Sequence, residues 1–427
     1  MSGEKLPAVS VIVLNFNGRE HLEACFSSLA ELDYPAERLE LMLCDNGSTD
    51  DSRSFMARRF PSIRVLALDR NYGFAEGNDR AAAQARFEWV AFLNNDMRVE
   101  PSWLREMVAP LREQPALACI SSKILSWDGA RIDFIGAGAS FQGFGFQFDF
   151  GKESSPMDEA RRIFAPCGGA MLIRKDLFLD LGGFDPDYFA FYEDLDLGWR
   201  LNLAGHDIWY TPAARTYHRH HGYHRRTPEH TLRSLYERNA LFTMYKNLDD
   251  DNLKAALPAA LLLLNEKALE MGQVDRTPFR PLAIRQTSAV SSMPAAEPGL
   301  GLKFRRVLRE QGLSAVPGRG LRFARTRARR GVDRFRRQLA RGFALVPYVT
   351  MSHYVGLSEF AHSLEALQRK RRLVQQRRVR SDAELLPLFY FALEPSYHQG
   401  RYIEFHRWLC RVLDLEDRFG PGHLNRG

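Results

Sequence analysis

No stretch of the 427-residue chain comes near the roughly 20 consecutive apolar residues that cross a bilayer as a helix. The longest apolar run, Ala259 to Leu264, is far too short. Cysteine is scarce too. The five present (Cys25, Cys44, Cys119, Cys167, Cys410) are scattered, odd in number and without metal-knuckle spacing. That argues against a disulfide framework and leads us to expect reduced thiols in the cytoplasm. The N-terminus runs from a short polar lead straight into an apolar strand, without a secretory pattern. Acid is the third shortage, and a local one. Residues 300–345 hold 14 Lys+Arg against 2 Asp+Glu, and residues 366–380 hold seven basic residues and no acid. The formal net charge of +7 therefore belongs to the C-terminal third, and the remainder is acidic. These arginines lack the interleaved aromatics on which single strands stack, so nucleic acid is not an expected partner.

What is present begins with strands. Val9 to Leu14 is a nearly continuous β-branched run, the mark of a strand buried on both faces of a parallel sheet. It ends in Asn15-Phe16-Asn17-Gly18, and a helical pattern follows. A second strand, Leu39 to Cys44, stops at Asp45-Asn46-Gly47-Ser48-Thr49-Asp50, where Ser48 or Asp50 could cap the next helix. A third, Ile63 to Leu68, leads to Asn71-Tyr72-Gly73, and a fourth, Glu88 to Leu93, to Asn94-Asn95-Asp96. Such alternation predicts an open, mostly parallel α/β sheet. Ligands of such sheets bind at the carboxyl ends of the strands. Asn15, Asn17, Asp45, Asn71, Asn94 and Asp96 are therefore expected around one cleft, although each taken singly also suits a turn or a cap.

Further on, Phe141, Phe144, Phe146, Phe148 and Phe150 alternate with glycines, as in an antiparallel ribbon or a loop over a cleft. Pro166 to Ile173 reads as a strand entered through Gly168-Gly169, which would let backbone approach a ligand or serve a bulge. Asp207 to Tyr210 suggests another strand, with a turn at Pro212 before Ala214 to His218. Between them, Glu193, Asp194 and Asp196 open a helical pattern carried on by Leu197, Leu201 and Ala204. Carboxylates in a first turn can serve the helix dipole alone.

In order along the chain, VSVIVLNFNG, CDNGSTDDS, NYGFAEGND, FLNNDM, GGAMLIRKDLF, LGGFDPDYFAFYEDLDLGWRLNLAG and PAARTYH resemble an inverting glycosyltransferase of family 2 with the GT-A fold. The pattern is nearest to rhamnosyltransferase-like enzymes of bacterial surface-polysaccharide assembly and covers residues 9–222. The resemblance implies a catalytic domain over 1–235, while composition and spacing suggest a helical or linker segment at 236–300 and a basic helical region at 301–427. It also implies that Asp45 and Asn17 hold the nucleotide of a dTDP- or UDP-sugar. Asn94 and Asp96 would stand as the DxD-like motif, with Asp96 and His218 as ligands of Mg²⁺ or Mn²⁺. Asp194, within Glu193-Asp194, would be the base. The first DxD position is Asn94, which leaves Asp96 as that motif's sole carboxylate. His220, His221 and His224, with Arg225 and Arg226, could touch the diphosphate or the acceptor. Two rivals to a transferase are a sugar-phosphate nucleotidyltransferase, which usually needs a glycine-rich basic loop after the first strand, and a non-catalytic scaffold.

From Leu321 to Val346 apolar residues recur at steps of three and four among arginines, up to Pro347. Such a helix suits an anionic membrane surface, or else packs on the acidic catalytic domain. A peripheral enzyme at the inner face, acting on a saccharide or lipid-linked saccharide, is the expectation. Leu385 to Leu413 is apolar enough for packed helices.

Overall fold

The computed structural model describes residues 6–153, 158–219, 227–274, 276 and 347–420. Strands β1 (Val9–Asn15), β2 (Leu39–Asp45), β3 (Arg64–Ala67) and β4 (Trp89–Asn94) alternate with helices α1 (Arg19–Ala30), α2 (Ser52–Arg59) and α3 (Gly73–Gln84). The four strands are parallel, in the order β3-β2-β1-β4. Val9, Val11, Ile12 and Val13 are all buried, because helices cover both faces of the sheet.

The chain then runs through β5 (Met97–Val99), α4 (Trp103–Val108), α5 (Pro110–Glu113), β6 (Cys119–Ser126), β7 (Ile132–Phe134), β8 (Ala137–Ala139), β9 (Gly145–Gln147) and β10 (Arg161–Ile163). After them come β11 (Ala170–Arg174), α6 (Lys175–Asp180), α7 (Glu193–Leu203) and β12 (Ile208–His218). Strand β11 runs antiparallel between β4 and β6, which reverses the sheet beside the strand ends. Strand β12 lies parallel to β6 and is one strand rather than two. Pro212 sits where the register shifts between Thr211 and Arg215, so the expected turn is a bulge. A bulge tolerates a residue that has no amide proton to give the ladder. This is the GT-A type of open, mostly parallel sheet.

The phenylalanine stretch forms an antiparallel ribbon, β8 with β9, whose rings meet the C-terminal region: Phe148 stacks on Phe391 and Phe141 lies against Phe419. That region comprises α8 (Glu229–Asn247), α9 (Asp250–Met271), α10 (Tyr348–His362), α11 (Leu364–Gln376), α12 (Asp382–Phe389), α13 (Gly400–Val412) and α14 (Leu415–Phe419). Its core takes in Leu195, Trp199 and Leu203 of α7 together with Leu241, Leu263, Phe360 and Leu409. The helices therefore pack directly on the element that carries the carboxylates. Pro347 precedes a described helix, α10. The arginine-rich stretch 321–346 lies outside the described residues.

The second basic run pairs with the protein itself. Lys370 bridges Asp185 and Asp187, Arg371 donates to Asp250 at 2.6 Å, Arg378 to Asp382 at 2.8 Å, and Arg380 meets Asp207 at 2.7 Å. Deeper still, Lys246 reaches Asp185 at 2.5 Å and Asp196 at 2.9 Å, while Arg200 donates to Asp196 at 2.8 Å. Without Lys246, Asp196 keeps only Arg200 and Asp185 only Lys370, so two buried carboxylates each lose a cation, and loss of one partner of a buried pair costs up to about 3–5 kcal/mol. Lys246→Met should therefore lower the stability of the full chain by roughly that amount in urea denaturation. A loss below about 1 kcal/mol would show that Arg200 and Lys370 suffice to compensate the two carboxylates.

Candidate active site

At the carboxyl edge of the sheet, Asn15 and Asp45 are register partners and both fully buried. A buried carboxamide needs its hydrogen bonds met. Asn15 Nδ2 donates to Ser48 Oγ at 3.2 Å and Ser52 Oγ at 3.0 Å, and its Oδ1 accepts from Asn95 Nδ2 at 2.7 Å. Asn15 thus ties three strand ends together. Asn17 has a left-handed backbone (φ 51°), and its Oδ1 accepts the amides of Thr49 at 2.7 Å and Asp50 at 3.2 Å. It thereby pins the loop after β2 over the end of β1. Asp50 in turn accepts the Ser52 amide at 3.0 Å, at the start of α2. The Asp45 carboxylate accepts the Ser48 amide at 3.3 Å and lies 3.5 Å from Arg53 Nε.

Asn71 and a residue the sequence reading passed over, Asn46, shape the next loop. Asn46 is buried, donates to Asn71 Oδ1 at 3.0 Å and to the Gly73 carbonyl at 2.9 Å, and accepts the Tyr72 amide at 3.0 Å. Its one sequence signal was its place beside Asp45.

Pairing of β5 with β12 sets Met97 opposite His218 and so brings Asp96 to the imidazole. His218 Nε2 lies 3.3 Å from Asp96 Oδ2, and Nδ1 lies 2.6 Å from Asp133 Oδ2. Burial lowers the His218 pKa, but hydrogen bonds to Asp133 and Asp96 outweigh it and raise the value to about 10. For Asp96, burial raises the pKa, yet His218 holds it below the usual range. Asp133, in a three-residue strand far along the chain, offered no sequence signal. Among the described residues no group of three or more His, Cys, Asp or Glu side chains is arranged to hold a metal ion. The geometry explains this: the two carboxylates meet opposite nitrogens of one ring, so all three cannot face one ion. The ring holds its proton against Asp96, so a divalent cation completed by a ligand's oxygens would have to take that proton's place between Asp96 and His218 Nε2, with Asp133 orienting the ring from behind. His220, His221, His224, Arg225 and Arg226 lie outside the described residues.

The carboxylate pair opens α7. Phe189, Phe191 and Tyr192 all have left-handed backbones (φ 62°, 70° and 67°), which for bulky residues cost on the order of 1–3 kcal/mol each. This turn delivers Asp194 to the β11 entrance, where Gly168 N–H donates to its Oδ2 at 2.9 Å and Leu195 N–H to its Oδ1 at 2.8 Å. A side chain on Gly168 would press on Asp194 and Phe74, and one on Gly169 would strike Asn94. The Gly169 carbonyl accepts the Asn94 amide at 2.9 Å. Two adjacent glycines thus join Asp194 to the Asn94–Asp96 turn. Burial raises the pKa of Asp194 against the pull of the Gly168 and Leu195 amides. Glu193 is more deeply buried, and its Oε2 has no hydrogen-bond partner among the described residues. Burial and the neighbouring Asp194 charge push its pKa well up. Asp196 points instead into the cationic cluster.

With this geometry in hand, comparison with known proteins is informative. The model of the Glycosyl transferase family 2 matches residues 10–182. Those residues form a family 2 glycosyltransferase domain. The family 2 match takes in Asn15, Asp45 and Asp96 and ends before Glu193. The chain is 31% identical over 224 residues to the O-antigen biosynthesis protein RfbC of Myxococcus xanthus, spanning 50% of this chain and 17% of that protein. It is 26% identical over 232 residues to the N-acetylglucosaminyl-diphospho-decaprenol L-rhamnosyltransferase of Mycobacterium tuberculosis, spanning 49% and 75%. The structure of GalNAc-T7 with UDP, GalNAc and Mn²⁺ aligns with a TM-score of 0.49 at 17% identity, over 60% of this chain and 52% of that one. That likeness is too loose to bear on chemistry.

The buried carboxyl of Glu193, whose Oε2 has no partner among the described residues, leads to a prediction with a definite sign. A carboxyl whose pKa is raised on folding holds its proton more tightly in the native state. Its contribution to stability is therefore full at low pH and is lost as pH rises through the raised value. Glu193→Gln removes that loss. The variant should match wild type in thermal stability near pH 4 and exceed it near pH 8, by about one or two degrees or more. Equal melting curves at both pH values would mean that Glu193 is solvated or paired in solution.

Proposed function

We propose that the chain is an inverting glycosyltransferase that moves a sugar from a pyrimidine nucleotide sugar to a saccharide or lipid-linked saccharide hydroxyl. The observation that carries this is the Gly168-Gly169 bridge, with Asp194 on one side and the Asn94–Asp96 turn on the other. On this reading residues 1–235 carry the reaction, with the 236–300 segment and the 301–427 region beside them. Asp45, Asn17 and Asn71 shape the nucleotide side of the cleft, with Asn15 holding its strand ends. Asp96 and His218 would hold Mg²⁺ or Mn²⁺, which when bound stabilises charge on a departing diphosphate as a Lewis acid.

Asp194 takes the proton of the acceptor hydroxyl. That oxygen bonds to the anomeric carbon as the carbon–oxygen bond to the diphosphate breaks on the opposite face, and the centre inverts. Burial suits Asp194 to the task, since a base with a raised pKa accepts a proton more readily at neutral pH. Rhamnose is the favoured sugar, on the strength of the Mycobacterium relative. That relative's name also supports a lipid-linked acceptor, and an enzyme acting on such an acceptor would work at the inner membrane face as a peripheral protein. No helix among the described residues is long and apolar enough to cross a membrane.

Asp194→Asn should bind UDP or dTDP with Mn²⁺ as wild type does while transfer falls by about 10²-fold or more. A thermal-shift panel of nucleotide sugars, with and without cation, identifies the donor for that assay. A variant that keeps most of its activity removes Asp194 from this role. In wild type, the rate should rise with pH through a value above the ordinary carboxylate range, because the base must first lose its proton. An acid limb at or below pH 4 would show an unperturbed base.

A further inference from the structure

We propose that Asn239, in the helical region, is a positioning residue for the base. The inference rests on Asp194 being that base. Asn239 is fully buried on α8, and Nδ2 donates to the carbonyls of Tyr188, Ala190 and Phe191 at 3.2, 2.9 and 2.8 Å. Its orientation is not ambiguous, because Oδ1 accepts from Arg238 Nε at 2.9 Å. Arg238 Nη2 donates to the Asp187 and Tyr188 carbonyls, both at 3.0 Å, and Nη1 reaches Glu359 of α10 at 3.1 Å. One carboxamide and one guanidinium thus grip four of the five carbonyls from Asp187 to Phe191.

The fifth, that of Phe189, is held from the other side by the Phe74 amide at 2.6 Å. This turn contains the three left-handed residues and ends one residue before Glu193-Asp194. Backbone of that kind persists only where its surroundings over-determine it. Four of the five carbonyls are taken by α8 and only that of Phe189 by the sheet side, so the sheet alone does not supply that constraint. Asn239 therefore sets the angle at which α7 presents Asp194 to the Gly168 amide. Through the Phe189 carbonyl it also ties that angle to Phe74 in the first turn of α3, where the loop shaped by Asn46 and Asn71 ends. A polar residue with three carbonyl acceptors and no ligand contact acts through the residue it places.

The test uses the full-length protein and four variants. Asn239→Ala should lower kcat roughly 10–100-fold, as a displaced catalytic group does, with donor KM and nucleotide affinity within about twofold of wild type. Arg238→Met, which keeps the aliphatic stem and removes the guanidinium, should lower kcat about threefold or more with the same KM pattern. Met244→Ala truncates a buried side chain of the same helix that makes no hydrogen bond to the turn, and it should lose stability while keeping kcat within about twofold. Asp194→Asn runs alongside. Hydrogen exchange gives a readout independent of turnover: in Asn239→Ala the Phe74, Gly168 and Leu195 amides should exchange about tenfold faster or more, with the strands unchanged.

The proposal is overturned by kcat within twofold of wild type in both Asn239→Ala and Arg238→Met, by a kcat loss in Met244→Ala equal to that in Asn239→Ala, or by unchanged exchange at those amides. If Asp194→Asn keeps its activity, or wild type transfers no sugar, the assignment of the base fails instead. The exchange measurement still decides whether Asn239 holds the turn.

Discussion

Everything at the carboxyl edge of this sheet depends on a short turn, residues 187–192, being held in a backbone conformation that its own side chains disfavour. Phe189, Phe191 and Tyr192 would each relax toward the right-handed or extended region if nothing opposed it. Two bodies oppose it. From the sheet side, the Phe74 amide takes the Phe189 carbonyl and Gly168 takes Asp194. From the helical side, Asn239 and Arg238 take the remaining carbonyls. The C-terminal helices are therefore part of the frame that holds the turn before α7.

Charge divides along the same helix. Asp196 lies two residues beyond Asp194, yet Arg200, Lys246 and Asn247 surround it, and cationic neighbours hold its pKa low although burial works the other way. Glu193 and Asp194 have no such cations, so burial raises them. Two kinds of carboxylate thus share one first turn. The first kind ties α7 to α8 and α11 through Asp185, Lys246 and Lys370. The second keeps its proton affinity high where the cleft can use it. The dipole of the helix, which treats all three alike, does not explain the difference.

A similar division separates the arginine-rich stretches. The run 366–380 holds seven basic residues and no acid, and several of its members end on carboxylates of the sheet domain and of α9 and α12. The acidic remainder of the chain and this basic run are two halves of one interface, which composition alone could only hint at.

The alternation of β-branched runs with helical spacing was enough to determine the four parallel strands, and with them the strand ends where Asn15, Asp45, Asn71 and Asp96 fall. Periodicity reports burial, and burial on both faces belongs to few architectures. The glycines at 168 and 169 were legible as a close approach, though not what they approach. Tertiary structure alone decided that His218 stands between Asp96 and Asp133, that Asn46 shapes the loop after β3, and that Asn239 grips a turn some fifty positions away. The physical reason is the same in each case. Those contacts join elements through the hydrogen bonds of individual side chains, which leave no periodic trace in the chain, and a lone Asn or Asp reads as a turn residue until its partner is beside it.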